Sequence, residues 1–143
     1  MSRESTGFLL VRVGSRRVGL QLSDVLEVIA LGDVHPVPAV EPAVRGVVAV
    51  QGRMLPLVQL GALLDGVNQS PLAGDVGVVV AVEGRRFCLE VHEAELLVRE
   101  PALPVPPGEA MPWAVGVARH ADTLVPLLDL TALSSRLMEA VWT

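Results

Sequence analysis

The chain has 143 residues, of which 51% are hydrophobic and only 3% aromatic, and it carries a net charge of −5; this is enough for one domain, or for two small halves sharing a core. Lysine and tyrosine are both absent, which excludes a lysine-dependent phosphate loop and Schiff-base chemistry and argues against stacking on nucleic-acid bases. The longest basic clusters are Arg16-Arg17 and Arg85-Arg86, too short to neutralise a phosphate backbone, and no apolar run approaches the ~18 residues that would span a bilayer.

The leading MSREST is polar and lacks the apolar core of a signal peptide. With the single cysteine, Cys88, which rules out an intramolecular disulfide, this fits a cytoplasmic protein. Residues 8–13 (FLLVRV) read as a strand turned by Gly14-Ser15 into a returning strand at 16–22, where Val18, Leu20 and Leu22 share one face. Ser23-Asp24 offers a cap, and 24–31 reads as a helical turn leading into a strand. Three prolines, Pro36, Pro38 and Pro42, make 32–45 an extended loop. Residues 46–64, GVVAVQGRMLPLVQLGALL, read as a hairpin turned at Gln51-Gly52-Arg53 that runs into a short helix at 61–65. Residues 66–75 are polar and turn-rich, the best internal boundary.

From residue 76 the pattern starts again. AVEGRRFCLEV at 81–91 repeats RVGSRRVGLQL at 12–22, matching Val13 with Val82, Arg16 with Arg85, Arg17 with Arg86 and Leu20 with Leu89. Pro104-Val105-Pro106 answers Pro36-Val37-Pro38, and 124–133 repeats 54–63 through Pro126, Leu127, Leu130, Ala132 and Leu133. Blocks recurring in one order imply duplication and a pseudo-two-fold axis. Short strands with frequent turns close well into small barrels, which removes exposed edges. The expected architecture is mainly β: two small antiparallel barrels, one from about 8–65 and one from about 76–131, with short helices and a closing C-terminal helix at 132–142.

No constellation for catalysis emerges. His35, His92 and His120 lack metal-ligand spacing, and His92-Glu93-x-Glu95 reads better as a solvated turn. Cys88 lies within a strand between Phe87 and Leu89, where a small packed side chain is the simpler reading, and no GxSxG occurs. Asp122, Asp129, Glu41 and Glu109 form no carboxylate pair. Neither a cofactor nor a metal is expected. The apolar surplus instead points to exposed patches that bind proteins, and a groove between barrels suits a partner helix. Glu27, set between Leu26 and Val28, is either a solvated strand residue or a specificity-setting charge in such a patch. Trp113 and Trp142 are candidates for core packing or for hot spots. A second reading is a small barrel that binds an anionic or apolar small molecule through Arg16, Arg17, Arg85 and Arg86.

The strand pair, VLEVI at 25–29, the Pro-x-Pro loop and GVVAVQGRMLPLVQL at 46–60 together resemble the CheW-like domain over about residues 8–135. The resemblance implies two five-stranded SH3-like barrels and an adaptor without enzyme activity. Its partners would be the cytoplasmic tip of methyl-accepting receptors and the CheW-like regulatory domain of a histidine kinase. Carried over by position, Glu27 falls on an acidic partner-contact site, and Val25, Ile29, Gly46 and Val48 fall on or near an apolar groove. The family's hairpin motif has Arg before Gly and Asp or Asn before its last Leu; here these are Gln51 and Gln59. Gln supplies neither the charge nor the fork of Arg, so Gln51, with Arg53 close by, marks where this chain departs from typical members.

Overall fold

The computed structural model describes residues 7–38, 43–61, 74–99, 102–108 and 113–135. Eleven strands are seen among them: β1 (Phe8–Val13), β2 (Arg16–Gln21), β3 (Val25–Ala30), β4 (Val34–His35), β5 (Val44–Val50), β6 (Arg53–Gln59), β7 (Val76–Val82), β8 (Arg85–Val91), β9 (Glu93–Val98), β10 (Ala114–His120) and β11 (Thr123–Leu128). A single 3₁₀ turn, Leu22–Asp24, leads into β3, as the 24–31 segment suggested. The chain is helical at 60–61 and at 130–135. The closing helix thus starts two residues before the expected 132; the rest of that segment, with Trp142, and residues 62–65 lie outside the described residues.

The strands form two sheets, ordered β10-β11-β2-β1-β9 and β3-β7-β8-β6-β5-β4. The fold is mainly β with internal pseudo-symmetry, as the repeat implied, but the second sheet has six strands because the two-residue β4 is added at its edge. The sheets also do not divide the chain at residue 70. The first hairpin, β1-β2, lies among β9, β10 and β11 of the second half, and β7-β8 lies among β3, β5 and β6 of the first. The halves have exchanged hairpins, so the spans 8–65 and 76–131 do not correspond to the two sheets.

This exchange is symmetric to the residue. Leu10 pairs with Leu96 and Val11 with Ala94, skipping Glu95; Val79 pairs with Glu27 and Val80 with Val25, skipping Leu26. Both junctions therefore carry a bulge at the same place. The parallel contacts match as well, β11 on β2 and β6 on β8. Even β4 has its counterpart, since Val34 pairs with Val48 and Leu103 bridges Val117.

Three apolar clusters follow from this arrangement. One sheet curls around Phe8, Leu10, Val98, Ala118, Val125 and Leu127, and the other around Val48, Val50, Leu55, Leu57, Val79 and Cys88. Between the sheets lies the largest cluster, where Leu9, Val11, Val18 and Leu20 of the first hairpin meet Val78, Val80, Phe87 and Leu89 of the second. The exchanged hairpins are thus buried on both faces, which accounts for their near-continuous apolar runs. Trp113 is half-buried against this central cluster, the packing role. Cys88 is fully buried; burial first, and Glu90 second, push its thiol up to about 12, so it stays a protonated packing group at neutral pH.

Two-residue turns close the β5-β6 and β10-β11 hairpins, and both central residues have positive φ: Gln51 at 49° and Gly52 at 80°, Ala121 at 50° and Asp122 at 66°. Right-handed strand twist favours this turn, but an L-residue in it costs roughly 1 kcal/mol. The β10-β11 turn has no glycine to relieve it. Ala121→Asn combined with Asp122→Gly should raise stability by about 1 kcal/mol, or roughly 3 °C in melting temperature; a thermal melt checks this.

Candidate functional site

Strand β3 alternates half-buried and exposed residues along its whole length. Val25, Glu27 and Ile29 are the half-buried set, and Leu26 and Val28 are exposed at 50% and 45%. Val25 packs on the central cluster and Ile29 on the interior of the six-stranded sheet. Val48 is buried in that same interior. Gly46 is buried too, with φ of 155°, and a Cβ there would collide with the His35 carbonyl; its role is the close approach of β4 to β5. The apolar positions carried over by resemblance, Val25, Ile29, Gly46 and Val48, therefore build the wall behind the surface. Leu26 and Val28 are the apolar side chains of β3 that face solvent.

The three polar positions do come together. The Gln51 side-chain amide Nε2 donates to Glu27 Oε2 at 2.9 Å. Glu27 and Leu26 of β3, Gln51 and Arg53 of the β5-β6 hairpin, and Arg86 of β8 surround a cleft of about 370 Å³, floored by the buried Val50, Leu55 and Val79. Gln51 thus does by hydrogen bond what an arginine could do by charge: it fixes the Glu27 carboxylate to the turn. Arg53 lines the same cleft.

Sequence reasoning singled out Arg86 only within a four-arginine anion site. The structure separates that set, because Arg16 and Arg17 open β2 in one sheet and Arg85 and Arg86 open β8 in the other. Arg17 is held by Glu95, with Nε at 2.8 Å from Oε1 and a second bond from the guanidinium to Oε2 at 3.2 Å. That hydrogen bond holds the Glu95 carboxyl below its ordinary range. Glu93 pairs with Arg12, and His92 Nδ1 accepts the Gly14 amide at 2.8 Å. The His92-Glu93-x-Glu95 run is thus tied to the first hairpin, and no group of three metal-ligating side chains occurs among the described residues.

Sequence reasoning missed Glu90. Its side chain is 1% exposed, and both of its oxygens accept from Arg45 Nη1, at 2.7 and 2.6 Å. The Gly74 amide donates to the same carboxylate. A lone Glu between Leu89 and Val91 in an apolar strand was the available signal. Asp129, one of the unpaired carboxylates, caps the closing helix by accepting the Ala132 amide at 3.0 Å; Gln59 holds the equivalent place in the first half. Glu41 and Glu109 lie outside the described residues.

The site is thus a polar cleft beside exposed apolar side chains, on one of two curled sheets that have exchanged hairpins. The CheW-like domain model matches residues 7–136, and the chain belongs to that family. The crystal structure of the scaffolding protein TtCheW from Thermoanaerobacter tengcongensis is similar in fold, with a TM-score of 0.78 at 17% identity over 92% of this chain and 89% of that one. A search of curated proteins found no match. No helix among the described residues is long and apolar enough to cross a membrane.

Proposed function

We propose that this chain is a chemotaxis-type adaptor that joins the cytoplasmic tip of methyl-accepting receptors to the CheW-like regulatory domain of a histidine kinase. Family membership supports the scaffold class, and the observation that carries the coupling role is the duplication of exposed apolar positions. Val28 on β3 and Met54 on β6 are exposed, and so are their pseudo-symmetric counterparts, Leu97 on β9 and Leu124 on β11; Leu26 and Leu96 are exposed beside them at positions that the other half fills with Glu95 and Glu27. Exposed large apolar side chains of this kind mark protein interfaces when grouped. A molecule that bridges two partners needs two such faces, and the internal repeat supplies two that differ in charge: Arg17 is neutralised by Glu95 on one, while Arg53 and Arg86 flank the cleft on the other.

Glu27→Arg should weaken binding to the partner on the cleft face by about tenfold. It removes the Gln51 contact, fills the cleft with a long side chain and repels two arginines. The position is only half-buried, so the fold should persist. Calorimetric titration of the purified domains, with a thermal melt as the folding control, checks both halves of this expectation; unchanged affinity would remove Glu27 from the interface.

A further inference from the structure

The pseudo-two-fold axis supplies an internal template for the cleft. On the first hairpin, Arg17 lies across from Arg12 on β1, and the bulged residue of the neighbouring β9 is Glu95, which grips it. On the second hairpin, Arg86 lies across from Ala81 on β7, and the bulged residue of the neighbouring β3 is Leu26. The geometry is the same, shifted by 69 residues, but the carboxylate is missing. Bulges re-aim the side chain they carry, and Leu26 and Arg86 both face the cleft. Glu27 is one position away, with one oxygen engaged by Gln51. Neither the Arg53 nor the Arg86 guanidinium has a hydrogen-bond or ion-pair partner among the described residues. In a chain of net charge −5, this cleft carries two arginines against one carboxylate.

We infer that the cleft is an acceptor site for an acidic side chain of a partner protein, which reaches Arg86 in the place where Glu95 reaches Arg17 and rests its apolar neighbours on Leu26. This rests on the adaptor reading and specifies the chemistry of one of its two faces. Charge complementarity selects the occupant: a basic segment would be repelled by Arg53 and Arg86, and a purely apolar one would bury two guanidinium groups unpaired. The arrangement also makes the site one that the chain itself can close. Leu26→Glu restores the template and should seat its own carboxylate on Arg86, excluding the partner.

The test titrates the full chain, calorimetrically, with the kinase regulatory domain and separately with the receptor tip from the same genome. Four forms are compared: the natural chain, Arg86→Glu, Leu26→Glu and Arg85→Glu, the last an exposed control outside the cleft. The expected result is that one partner loses at least about tenfold in affinity with Arg86→Glu and with Leu26→Glu, and stays within about twofold with Arg85→Glu. In the Leu26→Glu form, the added carboxyl should titrate below its ordinary range, as Glu95 does, a readout that needs no partner. Equal binding by Arg86→Glu, or an equal loss with Arg85→Glu, overturns the acceptor site while leaving the adaptor reading in place. Failure of the natural chain to bind either domain overturns the adaptor reading and the occupant with it. A rise in melting temperature with citrate, without binding to either domain, replaces the partner by a free carboxylate and likewise overturns the inference.

Discussion

A fragment of residues 7–73 should be unfolded on its own, and mixing it with 74–143 should restore the native fold. Every sheet contact that joins an exchanged hairpin to its neighbours crosses the boundary: β1 with β9, β2 with β11, β7 with β3 and β8 with β6. What remains within the first half is β1-β2 and the small β4-β5-β6 set. Isolated hairpins are marginal in water. The loss on the central cluster decides the matter. Leu9, Val11, Val18 and Leu20 are all at most 5% exposed in the whole chain. Each contributes about 2 kcal/mol by burial, so the four together, about 8 kcal/mol, already match the 5–15 kcal/mol that a domain has in total. Circular dichroism of each fragment and of the mixture checks this. Two independent folded halves would mean that the hairpins are not exchanged.

Arg45→Met should cost about 3 kcal/mol. The Glu90 carboxylate is buried and accepts both of its side-chain bonds from Arg45; removing the guanidinium leaves an uncompensated charge with one backbone amide, from Gly74. Breaking one side of a buried pair costs more than replacing both sides. The figure is at the low end of the usual range because Arg45 is itself 34% exposed and water can reach the site. Adding Glu90→Gln to Arg45→Met should recover most of the loss. Urea denaturation of the single and double variants measures this; equal stability of all forms would show the pair to be inert.

The repeat was legible because turns and prolines leave local marks. Pro56 and Pro126 occupy the same place on β6 and β11, and a proline loop precedes each. The exchange of hairpins was not legible, because alternation within a strand states which residues share a face but not which strand lies alongside. Strand β3 shows the consequence. Period-two alternation separates Val25, Glu27 and Ile29 from Leu26 and Val28, yet both sets are largely apolar, and only the packing of β3 on β7 assigns the first set inward. The cleft was half legible. Glu27, Gln51 and Arg53 were picked by resemblance and do meet there, whereas Arg86 enters only through the register of β8 against β7. The Arg45–Glu90 pair joins residues 45 positions apart, a separation that no local pattern spans.

The most direct test of the adaptor role is reconstitution. Receptor cytoplasmic domains on vesicles are sedimented with the histidine kinase in the presence and absence of this chain, and the kinase in the pellet is measured. The kinase should sediment with the receptor only when the chain is present, and Arg86→Glu should reduce the amount recovered. Kinase recovery that is the same with and without the chain would contradict that role.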